Sequence, residues 1–200
     1  MTQIASKRPL CATCLRAASA CICRWIAPLQ AQTALLILQH PLEVGNAKNS
    51  ARLLHLSVAD SVLVAGERFD PEQLDGLLHA GARTPVLLYP PTPGEAGLPA
   101  PPPLPALAPS ALRLVVLDAT WRKSRKMLYL NPALQDLPRL ALTEVAPSNY
   151  RIRKAHAAHQ LSSLEAAAQA LAGLEGDAQR FQSLLDAFDG FVTQQAAWFR

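Results

Sequence analysis

The chain has 200 residues, half of them hydrophobic, and carries 19 Lys and Arg against 15 Asp and Glu. That is enough chain for one domain with a real core, which excludes disorder throughout. No apolar run approaches the roughly 20 residues a membrane helix needs, and no apolar stretch follows Lys7 and Arg8, so neither a membrane span nor a signal peptide is expected and a cytoplasmic location is.

All four cysteines lie near the start, as Cys11-x-x-Cys14 and Cys21-x-Cys23. In a cytosolic protein this grouping reads as a metal site, with four thiolates on one structural zinc; the other reading is four reduced thiols without metal. Residues 1–30 are therefore expected to form a zinc-knuckle-like segment, and 31–200 an α/β domain.

The apolar run 33–38 reads as a buried strand and ends in Gln39-His40-Pro41. A helix is expected over 47–55, a strand over 61–64, a helix from Pro71 through Leu78 and a strand over 85–89 closed by Pro90-Pro91. The proline-dense stretch 90–109 can form neither helix nor central strand and reads as a loop within the domain. A strand over 112–117 then ends in Asp118, and a helix runs from Trp121 to Leu130, stopped by Asn131-Pro132. A short strand over 139–142 follows, and two helices finish the chain. The first of these opens at Ser162 with Glu165 three residues on, a capping-box spacing; Leu161, Leu164, Ala168 and Leu171 line its core face. The second carries Phe181, Leu184, Leu185, Phe188 and Val192 at helical spacing. Alternating strands and helices indicate an α/β fold with a mostly parallel sheet and flanking helices.

Charge is concentrated rather than spread. Between Leu112 and Lys154 nine Lys and Arg face three acids, whereas from Ala155 onward two Arg face five acids. In the helix after Asp118, Arg122, Arg125, Lys126 and Tyr129 share one face, and Ser124, Met127 and Leu128 the other. A second basic cluster is Ser148-Asn149-Tyr150-Arg151-Ile152-Arg153-Lys154, in which a tyrosine beside cations suits a base stacked above a phosphate. A third polar group follows the first strand: Gln39, His40, Glu43, Asn46, Lys48, Asn49 and Arg52. An acid, a hydroxyl and an indole (Asp118, Thr120, Trp121) at the carboxyl end of a buried strand, beside a basic helix, point to an enzyme acting on a polyanion. Asp118 could instead cap the following helix, and Trp121 could instead anchor that helix in the core. No Gly-rich turn follows the first strand, which disfavours a Rossmann-type dinucleotide enzyme.

Asp118-Ala119-Thr120-Trp121 resembles the signature of the DTW-domain family. The resemblance extends to the N-terminal cysteines, Gln39-His40-Pro41-x-Glu43, Asn49-Ser50-x-Arg52-Leu53, Tyr89-Pro90, Ser148-x-Tyr150-Arg151-Ile152-Arg153-Lys154 and Leu161-Ser162-Ser163-Leu164-Glu165-Ala166. It departs in Lys123-Ser124, where many members have an uncharged amide and a small residue, and in the long proline loop.

The resemblance implies a tRNA-uridine aminocarboxypropyltransferase that uses S-adenosylmethionine, with a knotted C-terminal half like that of the SPOUT methyltransferases. It implies a catalytic set of Asp118, Thr120 and Trp121, with Asp118 taking the uridine imide proton or holding the uracil edge. Gln39, His40, Tyr89, Pro90, Ser148, Tyr150 and Arg151 would meet the cofactor. Lys48, Arg52, Arg122, Arg125, Lys126, Arg153 and Lys154 would hold tRNA, and Cys11, Cys14, Cys21 and Cys23 the zinc. No obligate protein partner is expected. Two other readings of the same residues are an S-adenosylmethionine-dependent RNA methyltransferase and a non-catalytic zinc-knuckle RNA-binding protein.

Overall fold

The structure, a computed structural model, describes residues 9–90, 100–142 and 161–197. Five strands form one all-parallel sheet: β1 (Ala34–Gln39), β2 (Val62–Ala65), β3 (Thr84–Leu88), β4 (Leu112–Asp118) and β5 (Arg139–Leu140), in the order β2-β1-β4-β3-β5. The helices are α1 (Ala51–Ser57), α2 (Pro71–His79), α3 (Trp121–Leu130), α4 (Pro132–Gln135), α5 (Ser163–Glu175) and α6 (Ala178–Ala196). Among the described residues no helix is long and apolar enough to cross a membrane.

The side-chain alternation of a strand explains the layers. Leu35 and Ile37 of β1, with Leu114 and Val116 of β4, face a core shared with α1, α5 and α6. Leu36, Leu38, Val115 and Leu117 face the opposite core, with Leu74, Leu78, Met127, Leu128 and Leu134 from α2, α3 and α4. All seven residues of β4 are buried, as a central parallel strand covered on both faces requires. The expected α/β architecture is thus present. The C-terminal half, in which the resemblance implies a knot, includes 143–160, which lie outside the described residues, as do 91–99 of the proline stretch.

Element boundaries differ where side chains compete with the backbone. The helix expected over 47–55 begins at Ala51 instead, because Asn49 Oδ1 accepts the Ala51 N–H at 3.0 Å and holds the preceding residues out of the helix. The capping box forms as its spacing predicts: the Glu165 N–H donates to Ser162 Oγ at 3.2 Å and the Ser162 N–H to Glu165 Oε2 at 2.8 Å. Leu164, Ala168 and Leu171 enter the core, whereas Leu161, one residue before the N-cap, lines a cavity. In α6 the buried stripe also includes Phe191.

The cysteine segment packs on α6. Cys14 and Ile22 are buried in the same core as Phe181, Phe188 and Phe191. Trp25 donates its indole N–H to Gln194, and Gln194 donates to the Cys21 carbonyl at 3.0 Å. Gly190, inside α6, is where the Trp25 ring lies; a Cβ there would fall inside the indole. Gly190→Ala gains about 1 kcal/mol of helix propensity, but overpacking against a ring held on both sides costs about 1–3 kcal/mol. The variant is expected to melt below the parent protein in a thermal scan; an unchanged or higher Tm would show that Trp25 is not seated on α6.

Candidate active site

β1 and β4 are neighbours, and their last residues, Gln39 and Asp118, are register partners. From this point the chain leaves β1 toward α1 on one face of the sheet and leaves β4 toward α3 on the other. Divergence of this kind opens a crevice at the carboxyl edge of a parallel sheet.

Asp118 is 3 % exposed and sits at the centre of a polar network in that crevice. Its Oδ2 accepts from Gln39 Nε2 at 2.9 Å and from Asn49 Nδ2 at 2.6 Å. Its Oδ1 accepts from Ser163 Oγ at 2.6 Å. Asn49 is fixed in orientation, since Oδ1 faces two donors, Gln39 Nε2 at 3.2 Å and the Ala51 N–H, while Nδ2 faces the carboxylate. Three neutral donors thus hold one buried carboxylate, and among the described residues no cation touches it. Asp118 therefore does not cap α3. Thr120 is the N-cap residue of α3 and makes no side-chain cap bond either.

A cavity of about 330 Å³ opens beside this network. Leu88, Tyr89 and Pro90 come from the end of β3, Ala119 and Trp121 from the turn after β4, Leu140 and Leu142 from β5 and beyond, and Ser162, Ser163 and Ala166 from the start of α5. Trp121 is 51 % exposed, so it is a cavity-side ring and not a core anchor. It meets Tyr89 edge to face, with ring centroids 6.0 Å apart. The Arg139 guanidinium lies 5.6 Å from the centre of the Tyr89 ring. The volume falls within the range of ligand pockets, and the walls are mainly apolar with a few hydroxyls, which is the usual composition of such sites.

The structure brings some of the residues singled out in the sequence to this cavity and leaves others elsewhere. Tyr89, Pro90 and Trp121 line it. Asp118 lies behind the wall, reaching it through Ser163. Gln39 supports Asp118 and does not line the cavity. His40 is turned away: its Nδ1 accepts the Leu42 N–H at 3.1 Å, so Nε2 carries the proton donated to Glu67 Oε1 at 3.0 Å. Ser148, Tyr150, Arg151, Arg153 and Lys154 lie outside the described residues, although Leu142 and Leu161, described on either side of them, both line the cavity. Asn49 and Ser163, each 45 or more residues from Asp118 in the chain, were not singled out as site residues. Asn49 falls in the polar group after the first strand, and both residues fall in stretches that carry the family resemblance; nothing else in the sequence marks Ser163.

On α3 the expected faces are present: Ser124, Met127 and Leu128 are buried, and Arg122, Arg125, Lys126 and Tyr129 exposed. Lys126 bridges to Glu67 Oε2 at 3.0 Å, and Lys123 to the buried Glu43 at 3.1 Å. Glu67 is held below the usual carboxylate range, first by the Lys126 hydrogen bond and then by His40. Arg52 donates to the Thr13 carbonyl at 2.7 Å, which ties α1 to the cysteine loop. Lys48 is half-buried on the loop before α1.

The four cysteine sulfurs lie within 4.8 Å of one another, with Cys11–Cys23 at 3.5 Å and Cys14–Cys21 at 3.8 Å. Thiolates on a tetrahedral zinc, each ~2.3 Å from the ion, stand about 3.8 Å apart, so the donor set fits. Backbone N–H groups of Cys14 and Thr13 draw the Cys11 thiol down to about 6, whereas burial and the neighbouring thiols push Cys23 up to about 12. Sulfurs this close cannot all ionise without a cation between them.

The model of the DTW domain matches residues 8–196. The chain belongs to the DTW-domain family. It is 31 % identical over 188 residues to a Drosophila melanogaster protein named tRNA-uridine aminocarboxypropyltransferase 2, an alignment covering 90 % of this chain and 72 % of the relative. Proteins of the same name from Macaca fascicularis and Mus musculus are 29 % and 30 % identical, covering 98 % and 86 % of this chain and 67 % and 58 % of their own length. No solved structure matches the chain significantly. In DTW terms, the acid of the signature is the buried hub and its tryptophan is a wall of the cavity.

Proposed function

We propose that this DTW protein transfers the 3-amino-3-carboxypropyl group of S-adenosylmethionine to the imide nitrogen of a uridine in tRNA, releasing methylthioadenosine. The observation that carries this reading is the cavity at the carboxyl edge of the sheet, walled by the signature tryptophan and backed by the signature acid, in a chain whose relatives are named tRNA-uridine aminocarboxypropyltransferase 2.

The lining fits the cofactor. Trp121 and Tyr89 offer faces for an adenine ring or for a sulfonium, which is attracted to an aromatic quadrupole. Bound there, S-adenosylmethionine supplies a carbon made electrophilic by its positive sulfur. Because the sulfonium activates three carbons, the walls choose between them by position, and the residues that fix the methionine arm set the product. The apolar lining from Leu88, Leu117, Leu140 and Leu142 excludes water that would compete with the uracil. Arg122 and Arg125 on the exposed face of α3, with Lys48 on the loop before α1, hold tRNA phosphates. The cysteine cluster holds a structural zinc and takes no part in the transfer.

Incubating the protein with S-adenosylmethionine and tRNA, then analysing nucleosides and small molecules by mass spectrometry, tests the reading. A uridine heavier by one aminocarboxypropyl group, with one equivalent of methylthioadenosine, is the expected result. S-adenosylhomocysteine and a methylated nucleoside would replace it with methyl transfer, and tRNA binding without any modified nucleoside would replace it with a binding protein.

A further inference from the structure

Transfer to an imide nitrogen requires that nitrogen to lose its proton, and the described cavity wall carries no carboxylate, imidazole or amine. Its only titratable side chain there is the Tyr89 phenol. Asp118 is the acid placed at this edge, yet it is buried behind the wall, and two amide donors occupy its Oδ2. Among the described residues its remaining oxygen, Oδ1, meets a single group, the hydroxyl of Ser163, and Ser163 lines the cavity.

An ionised carboxylate can only accept, so the short 2.6 Å bond fixes the Ser163 hydroxyl proton on the Asp118 side. With its proton so engaged, Oγ keeps lone pairs with which to accept from a group bound in the cavity that Ser163 lines. We infer that Ser163 is the catalytic residue that takes the uridine imide proton, relaying its own hydroxyl proton to Asp118 Oδ1. The step balances: the N–H bond of the imide breaks as an Oγ–H bond forms, the original Oγ–H bond breaks as Oδ1–H forms, and the electron pair left on nitrogen makes the new bond to carbon as the carbon–sulfur bond breaks, its pair leaving on sulfur to give neutral methylthioadenosine. Serine ends as it began, and Asp118 ends neutral until solvent takes the proton. Gln39 and Asn49 are positioning residues that hold Oδ2, so that Oδ1 alone is available as base.

The charged groups on the loops and the helix that flank Asp118 are committed elsewhere, while Arg122 and Arg125 stand on the exposed face of α3. On the β1 loop His40 pairs with Glu67 and Glu43 with Lys123. On α5 Glu165 closes the capping box. Beside α1, Arg16 donates to the carbonyls of Ala47 and Asn49. The Tyr89 phenol is the competing proton acceptor in the cavity, and the experiment separates it.

This inference rests on the proposed transfer reaction and deepens it. The test is the single-turnover rate of aminocarboxypropyl-uridine formation between pH 6 and 10 for the parent protein, Asp118→Asn, Ser163→Ala and Ser163→Thr, with S-adenosylmethionine binding measured separately. In Asp118→Asn the amide oxygen can keep the Gln39 and Asn49 bonds, which leaves its NH2 toward Ser163 and reverses the polarity of that hydroxyl. Asp118→Asn and Ser163→Ala are expected to lose about 100-fold or more in rate at neutral pH. Their rates should climb close to tenfold per pH unit as solvent hydroxide does the work, while cofactor affinity stays within about threefold. Ser163→Thr, which keeps the hydroxyl, is expected to recover most of the rate. A Ser163→Ala protein with parental rate, or variants whose pH profiles run parallel to the parent, would overturn the relay; a Tyr89→Phe protein with the pH signature described would assign the proton to the phenol instead. If the parent protein forms no aminocarboxypropyl-uridine, the proposed reaction itself falls, and the relay with it.

Discussion

Asn49→Asp is expected to cost about 3–5 kcal/mol of stability at pH 7.5, although it exchanges only an amide NH2 for an oxygen. In the parent protein Asn49 Nδ2 donates to Asp118 Oδ2 at 2.6 Å, and Asn49 Oδ1 is fixed by the Ala51 N–H and Gln39. The substituted carboxylate keeps the second set of bonds, so its other oxygen must face Asp118 at the same short distance. Two carboxylates so placed cannot both ionise, and the pair retains a proton with a raised pKa. The sign of the pH effect follows. Unfolded, both acids titrate near ~4; folded, one holds its proton to higher pH. The folded state therefore binds more protons above ~4, and the variant loses stability as pH rises through that window. Its deficit against the parent should be largest at pH 7 and above and should shrink toward pH 5. Asn49→Ala, which removes the donor without adding charge, is expected to lose about 1–3 kcal/mol with no such pH dependence. Thermal melts of the three proteins across pH measure this, and an Asn49→Asp curve parallel to the parent would mean that the two side chains are not in contact.

That contact shows where the sequence could be read and where it could not. Strand ends are local: an apolar run ending in Gln39, and another ending in Asp118, place both residues at the carboxyl edge of a parallel sheet. The capping box at Ser162 and the two faces of α3 are local too, and both form as their spacing predicts. The partners of Asp118 are not local. Gln39, Asn49 and Ser163 lie 79, 69 and 45 residues away, and a side chain that contributes one hydrogen bond leaves no periodic trace. The helix expected over 47–55 starts late for the same reason, since Asn49 is drawn into the network. Charge clustering was visible, but its partition was not. Lys123 and Lys126 are engaged by Glu43 and Glu67 from other loops, so a count along the chain overstates the cations left for a polyanion. Trp121 illustrates the reverse case, because only packing could decide between a core anchor and a cavity wall.

Withholding the zinc proposed for the cysteine cluster is expected to lower the proposed transfer activity about 10- to 100-fold, by analogy with the loss when outer-shell supports of a site are removed, while most of the fold survives. The connection is mechanical. Arg16 follows Cys14 by two residues, across Leu15, whose φ of 59° is a left-handed conformation that costs a leucine roughly 1–2 kcal/mol. The loop is closed by the Cys11 N–H to the Arg16 carbonyl at 2.7 Å, and it aims the Arg16 guanidinium at the Ala47 carbonyl and, at 2.6 Å, the Asn49 carbonyl. The same guanidinium lies 5.1 Å from the centre of the Phe191 ring. Asn49 in turn holds Asp118. A bound zinc thus fixes the turn, the turn fixes Arg16, and Arg16 fixes the backbone of a residue that orients the buried acid. Without the ion the thiols repel or reprotonate, the turn relaxes toward the extended conformations leucine prefers, and Asn49 loses its anchor. The cores around β4 do not depend on this segment for most of their contacts, so far-UV circular dichroism should change little. Arg16→Ala separates this route from general unfolding: with all four cysteines and the metal in place, it should reproduce much of the activity loss while metal content stays stoichiometric. Chelator-treated protein that keeps full activity, or an Arg16→Ala protein indistinguishable from the parent, would show that the knuckle and the catalytic network are independent.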